Sequence, residues 1–261
     1  MESMTGHSSS RVDGVRRLPV LSTYVDEISR DKIDYLVRDL IAKDSVSVVA
    51  AVNPEKCITV EADSETRIFL ESASLLLPDG IGVVAYSRLF GSKLIERVAG
   101  CDFALDLVKG LANNKDKVFL IGASDDVSQA AANYLNDLMS YQVVVSRING
   151  YDQRLSDFSL MAELIESSGA KVVLVALGSP KQERWINQMR ARLNRGVFMG
   201  VGGSFDVWAG AVPRAPAVFQ SLGLEWLFRL LRQPARIFRQ RKLIVFLGRL
   251  LVALVGRRKN A

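Results

Sequence analysis

The chain has 261 residues, 49% of them hydrophobic, and a formal charge of +6. That length and apolar content support one large domain with a full core and argue against a disordered chain. The cysteines, Cys57 and Cys101, provide no disulfide framework, which fits a cytoplasmic setting.

Met1 to Arg17 is polar and Ser-rich without the apolar run of a signal peptide, so residues 1–20 read as a disordered extension. From about residue 46, short β-branched runs alternate with amphipathic helical stretches. Strands are expected at Val46–Val52, Lys117–Ile121, Gln142–Ser146, Lys171–Ala176 and Val197–Val201. Helices are expected near Ser64–Leu76, Asp102–Asn113, Asp125–Met139, Asp157–Ser168 and Pro180–Asn194. This alternation predicts a Rossmann-like α/β core over residues 21–215, with a mostly parallel sheet flanked by helices.

In such sheets ligands bind beyond the carboxyl ends of the strands. Asn53-Pro54 follows the first strand, and Pro78-Asp79-Gly80 is expected to follow a helix. Gly178-Ser179-Pro180-Lys181-Gln182-Glu183 and Gly202-Gly203-Ser204-Phe205-Asp206 follow two late strands. The glycine-rich loops can bring backbone N–H groups to a phosphate, and Pro180 suits a first helical turn; turn-making explains the glycines equally well. Neither a G-x-G-x-x-G nor a G-x-x-x-x-G-K-[ST] pattern is present, against a dinucleotide fingerprint and a P-loop.

The only histidine, His7, lies in the extension, which removes Ser–His and Cys–His catalysis and a histidine metal site from the body. No two aspartates are spaced D-x-D, so no metal and no cofactor are expected. General-base work then falls to a carboxylate. Asp79, in a loop after the apolar run Leu75–Leu77, is the first candidate, and a turn aspartate bonding its own backbone is the alternative. Glu183 and Asp206 are its rivals.

The end of the chain differs from the body. From Glu225 to Ala261, ten Lys and Arg face one acid, a net of +9 that leaves −3 for residues 1–224. A helix through this stretch sets Arg229, Arg232, Arg236 and Arg239 within about 80°, opposite Trp226, Leu227, Leu230, Leu231, Ile237 and Phe238, with a kink or break at Pro234. Residues 216–261 are thus expected to form a helical, basic-amphipathic appendage for an anionic membrane surface. Nucleic acid is not the expected partner, because the basic residues lie among aliphatic side chains. Leu243–Val255 would reach only about 20 Å at 1.5 Å per residue, short of the ~30 Å hydrocarbon core.

Taken together, the motifs resemble the WecG/TagA/CpsF glycosyltransferase family over about residues 46–240. The matching pieces are the Asn53 loop, Pro78-Asp79-Gly80-Ile81-Gly82, Glu96-Arg97-Val98-Ala99-Gly100 and Gly178 to Glu183. Gly202 to Asp206, and Arg214-Ala215-Pro216 leading to Gly223-Leu224-Glu225-Trp226-Leu227, complete them. The resemblance implies inverting, metal-independent transfer of a sugar from a UDP-sugar to a polyprenyl-diphosphate-linked saccharide, peripherally at the cytoplasmic face of the bacterial inner membrane. It implies Asp79 as base and Asn53, Arg97 and Gln182 as substrate-site residues. Gly80, Gly178, Pro180, Glu183, Gly202, Gly203, Asp206 and Arg214 lie in the same motifs. Arg229, Arg236 and Arg239 correspond to the family's appendage arginines, with Arg232 beside them toward the lipid diphosphate. One departure is Ala51, where the family often has threonine. The segment after about residue 241 is expected to extend beyond the family core. Rival readings are a nucleotide-binding α/β enzyme of another class and a non-enzymatic membrane-surface module; homo-oligomerisation is left open.

Overall fold

A computed structural model describes residues 11–92, 94–216, 218–219, 225, 227–228 and 237–259, with the backbone alone for 237–240 and 256–259. The described chain opens with an antiparallel hairpin, β1 (Arg17–Val20) and β2 (Thr23–Asp26). Helix α1 (Ile33–Ala42) follows, then β3 (Val46–Val52), α2 (Pro54–Ala62), α3 (Ser64–Glu71) and β4 (Leu75–Pro78). Next come α4 (Ile81–Phe90), α5 (Gly100–Gly110), β5 (Lys117–Gly122), α6 (Asp125–Leu138) and β6 (Val144–Ile148). The body ends with α7 (Phe158–Ser168), β7 (Ala170–Ala176), α8 (Lys181–Arg190), β8 (Gly196–Gly200) and α9 (Ser204–Trp208). A C-terminal helix, α10, spans Ile237–Lys259.

The central sheet has six strands in the order β4-β3-β8-β7-β5-β6, all paired in parallel. Its strands are apolar on both sides because helices cover both faces. Val49, Leu75 and Leu77 join the core formed with α1, α5, α6 and α9, while Val48, Val52 and Leu76 join the opposite core with α2, α3, α4, α7 and α8. The α/β architecture with a parallel sheet is therefore as the alternation predicts.

Three features differ from the sequence reading. Leu75–Leu77 does not end a helix; it is β4, so Asp79 follows a strand. The stretch expected to be disordered through residue 20 already holds β1, with Val12, Leu18 and Val20 buried. Arg17 pairs with the buried Asp26 at 2.8 Å, and Asp26 Oδ2 accepts the Leu76 N–H at 2.7 Å, tying the hairpin to β4. Third, α10 lies against α2: Phe246 is fully buried, Lys242 Nζ donates to Thr59 Oγ1 at 2.7 Å, and Arg249 reaches Glu61 at 3.1 Å. Among the described residues no helix is long and apolar enough to cross a membrane.

Candidate functional site

The β3, β4 and β8 ends are neighbours, so the loops after them converge. At β3, Asn53 accepts the Lys56 N–H at 2.9 Å and caps α2, with Pro54 in its first turn. At β4, the Asp79 N–H donates to the Val52 and Leu77 carbonyls, each at 2.9 Å. Gly80 then turns the chain into α4 at φ 106°, a conformation costly for any residue with a Cβ. Asp79 is half-buried, and its Oδ2 lies 3.6 Å from where a Cβ on Gly100, the first residue of α5, would stand. The same Cβ would lie 2.9 Å from that of Ala51, so only glycine allows this approach. Helix α5 starts at Gly100, so its N-terminal end, the positive end of its dipole, adjoins Asp79. Ala51 therefore sits directly under the site, where a hydroxyl at that position would point.

Arg97 comes to the same place because the Val98 N–H donates to the Pro78 carbonyl at 3.1 Å, adjacent to Asp79. Its guanidinium pairs with Glu225, the one acid of the C-terminal segment. Arg214 pairs with Asp102 in the first turn of α5; burial pulls its pKa down, but the Asp102 charge and hydrogen bond outweigh it and the net shift is upward. Two contacts thus attach the chain after α9 to the Asp79–Gly100 neighbourhood.

Beneath the loops runs a buried polar chain. Glu183 is fully buried and pairs with Lys56 Nζ at 2.9 Å; Lys56 also lies 5.9 Å from the Phe69 ring. Gln182 Nε2 donates to Glu183 Oε1 at 3.3 Å, and Gln182 Oε1 accepts the Gly202 N–H at 3.1 Å. A Cβ on Gly200 would stand 2.7 Å from Gln182 Nε2. Lys56, Glu183 and Gln182 thereby link the loops after β3, β7 and β8. Burial of one such charge is tolerable only with its partner, so the three loops are fixed as a unit.

The remaining candidates are more dispersed. Gly178, at φ 76°, accepts the Gln182 N–H at 2.9 Å, and Pro180 stands at the N-cap of α8, one residue before the helix starts. Gly203 is the N-cap of α9, and Asp206 lies in its first turn, its carbonyl accepting the Val212 N–H at 3.1 Å. Arg229, Arg232 and Arg236 lie outside the described residues, and of Arg239 only the helical backbone is described. A cleft of about 1230 Å³ opens elsewhere, between α3, α8 and the loop after β6, lined by Ile68, Tyr151, Lys181, Arg184, Trp185 and Gln188 among others. None of the candidate residues lines it.

Sequence reasoning missed Lys56 and the pairing of Glu225, and took Gly100 only as the end of a motif. Lys56 left one trace: it stands four residues before Val60, on the stripe that α2 buries, where a lysine needs a partner. Arg97 and Glu225 are 128 residues apart and no local pattern links them.

The family model for the WecG/TagA/CpsF glycosyl transferases matches residues 18–260. The match starts within the N-terminal hairpin and runs through α10, so the segment after 241 is not an addition to the family core as expected from the motifs. A family of this type takes a nucleotide-sugar donor and a sugar acceptor. With the match covering nearly the whole chain, the protein belongs to the WecG/TagA/CpsF glycosyl transferase family.

Proposed function

We propose that the protein transfers a hexose or N-acetylhexosamine-type sugar, with inversion, from a UDP-sugar to a polyprenyl-diphosphate-linked saccharide in bacterial surface-polysaccharide synthesis. The observation that carries this is the position of Asp79: a half-buried carboxylate at a strand end, against the N-terminal end of α5 and beside the Arg97 loop. Asp79 takes the proton of the acceptor hydroxyl as that oxygen attacks the anomeric carbon. The bond from that carbon to the UDP oxygen breaks on the opposite face, and UDP leaves. Arg97 and the first amides of α5 neutralise the departing diphosphate. Of the rival bases, Glu183 is fully buried and paired with Lys56, which suits a clamp better than a group meeting an incoming hydroxyl.

Helix α10 supports the proposed location. Its outward side exposes Ile244, Leu247, Leu251, Val252 and Val255 alongside Arg241. Apolar and basic side chains on one exposed surface favour the anionic cytoplasmic face of a bilayer, where the lipid-linked acceptor resides. The Arg97–Glu225 pair supports a further part for this segment, bringing the lipid diphosphate to the site.

A transfer assay with a panel of UDP-sugars and short-chain polyprenyl-diphosphate sugars tests the reading. One donor should yield an inverted product, and Asp79→Asn should cut turnover by roughly 10²–10⁴-fold with an unchanged fold. Near wild-type turnover of that variant would remove Asp79 from the chemistry and make Asp206 the next carboxylate to replace.

A further inference from the structure

Helix α4 is amphipathic in the wrong sense for a helix facing water. Val83, Val84 and Ser87 are buried against the body, yet the outward sector, about 100° wide, holds Ile81, Ala85, Arg88 and Leu89. Ile81 is 42% and Leu89 40% exposed, and no acid interrupts them. Just beyond α4, Leu94 is 71% exposed, and Arg88 Nε donates to the Ile95 carbonyl at 3.1 Å, holding this segment beside the helix. Surface helices on a soluble body ordinarily turn polar residues outward. Helix α6 differs in carrying acids among its exposed positions, Asp125, Asp126 and Asp137 beside Tyr134 and Leu138, with Ala131 and Leu135 buried.

Helix α4 begins beside α10. The Phe246 ring of α10 lies 3.1 Å from where a Cβ on Gly82 would stand, so the two helices touch within the turn that begins with Ile81. The exposed apolar side of α10 continues through Ile244, Leu247 and Leu251, with Arg241 and Arg249 exposed on the same helix and Arg88 on α4. Apolar residues accompanied by basic ones and no acid fit a negatively charged lipid surface better than a second protein face of ordinary polarity.

We infer that α4 and Leu94 form a second membrane-contacting element, built into the catalytic body and adjoining α10. This rests on the proposed membrane location of α10 and extends it. Asp79 and Gly80 lead directly into α4, so seating this helix on the bilayer holds the reacting carboxylate at the lipid surface. The acceptor's diphosphate and first sugar then meet Asp79 without leaving the headgroup layer. The C-terminal helix supplies attachment, and α4 sets the height and tilt of the site above the lipid.

The test uses the full chain and unilamellar vesicles of phosphatidylglycerol and phosphatidylethanolamine. Leu89→Glu with Leu94→Glu should lower the vesicle-bound fraction at least about tenfold, since two apolar side chains lose their contact and two anions meet an anionic surface. Val145→Glu, at an exposed residue of β6, should leave binding unchanged. In the unaltered chain, hydrogen exchange over residues 81–95 should slow when vesicles are added, which keeps the test open if the double variant does not fold. Protection of α10 alone, with 81–95 exchanging as in buffer, overturns the inference and leaves the membrane reading standing. If the unaltered chain does not bind vesicles at all, the membrane reading falls and the inference with it. Protection of 81–95 that rises with protein concentration in the absence of vesicles assigns the surface to a second copy of the chain and also overturns the inference.

Discussion

The strand-end cluster and helix α10 are held in place by opposite means. At the strand ends, position comes from directional contacts: the Asp79 N–H on the Val52 carbonyl, Asn53 capping α2, and the chain from Lys56 through Glu183 and Gln182 to Gly202. Helix α10 is held by the buried Phe246 and a few polar contacts at its edge, and much of its apolar surface stays outside. Directional, buried polar networks tolerate little displacement, which suits groups that must meet a reacting atom. Apolar contact is non-directional, which suits a helix with the body on one side and, in the proposed location, lipid on the other. On the proposed reading chemistry rests on the strand ends and attachment on α10, a separation that substitutions can test.

The sharpest way to break that separation is at Lys56. Lys56→Met leaves the Glu183 carboxylate buried with no counter-charge, and removing one member of such a pair costs about 3–5 kcal/mol. Chemical denaturation should show that loss as a lowered midpoint. Adding Glu183→Gln removes the stranded charge and should recover most of the stability. A single variant as stable as the unaltered chain would mean that the ion pair does not hold the strand ends together.

This clamp is also where the sequence was least legible. The α/β alternation was plain because five of the six sheet strands are β-branched runs bounded by polar or glycine turns. The remaining strand, β4, was hidden: Leu75–Leu77 is buried on both sides and has no period of two to separate it from the end of α3. The hairpin was hidden by its polar letters, since Arg17 and Asp26 satisfy one another only after folding. Asn53 and Gln182 stood out in loops expected after strands, and Asp79 as a loop carboxylate after an apolar run, and their motifs occur together. Their partners did not. Lys56 meets Glu183 and Arg97 meets Glu225 across long sequence separations, and such pairs leave no periodicity to read.

A smaller effect is expected at the outward side of α10. Ile244→Ser with Leu251→Ser removes two side chains that are 70% and 63% exposed and touch the body little. The melting temperature and transfer to a water-soluble acceptor should therefore stay as they are. Full burial of each such side chain contributes about 1.5–3 kcal/mol, so even partial insertion predicts vesicle binding weakened by roughly tenfold or more. Arg241→Gln should weaken binding by about 1 kcal/mol and only at low salt. A fall in turnover on the soluble acceptor, matching the loss of vesicle binding, would show that the outward side of α10 acts on the chemistry as well as on location.

The smallest expected effect is that of a chelator. The chain has no D-x-D pair and its only histidine is His7, and among the described residues no three His, Cys, Asp or Glu side chains come together as a metal ligand set. In the proposed mechanism the diphosphate charge that a divalent ion would otherwise neutralise falls to Arg97 and the N-terminal end of α5, both next to Asp79. Fixed donors of this kind need no added ion and are aimed before the substrate arrives. EDTA should accordingly leave turnover unchanged. The measurement belongs on the water-soluble acceptor, because divalent ions also alter the charge of an anionic vesicle and would mix location with chemistry. If EDTA abolishes turnover there and Mg²⁺ or Mn²⁺ restores it, the strand-end cluster is incomplete without a metal, and Asp79 has to be reconsidered as a ligand of that ion as well as a base.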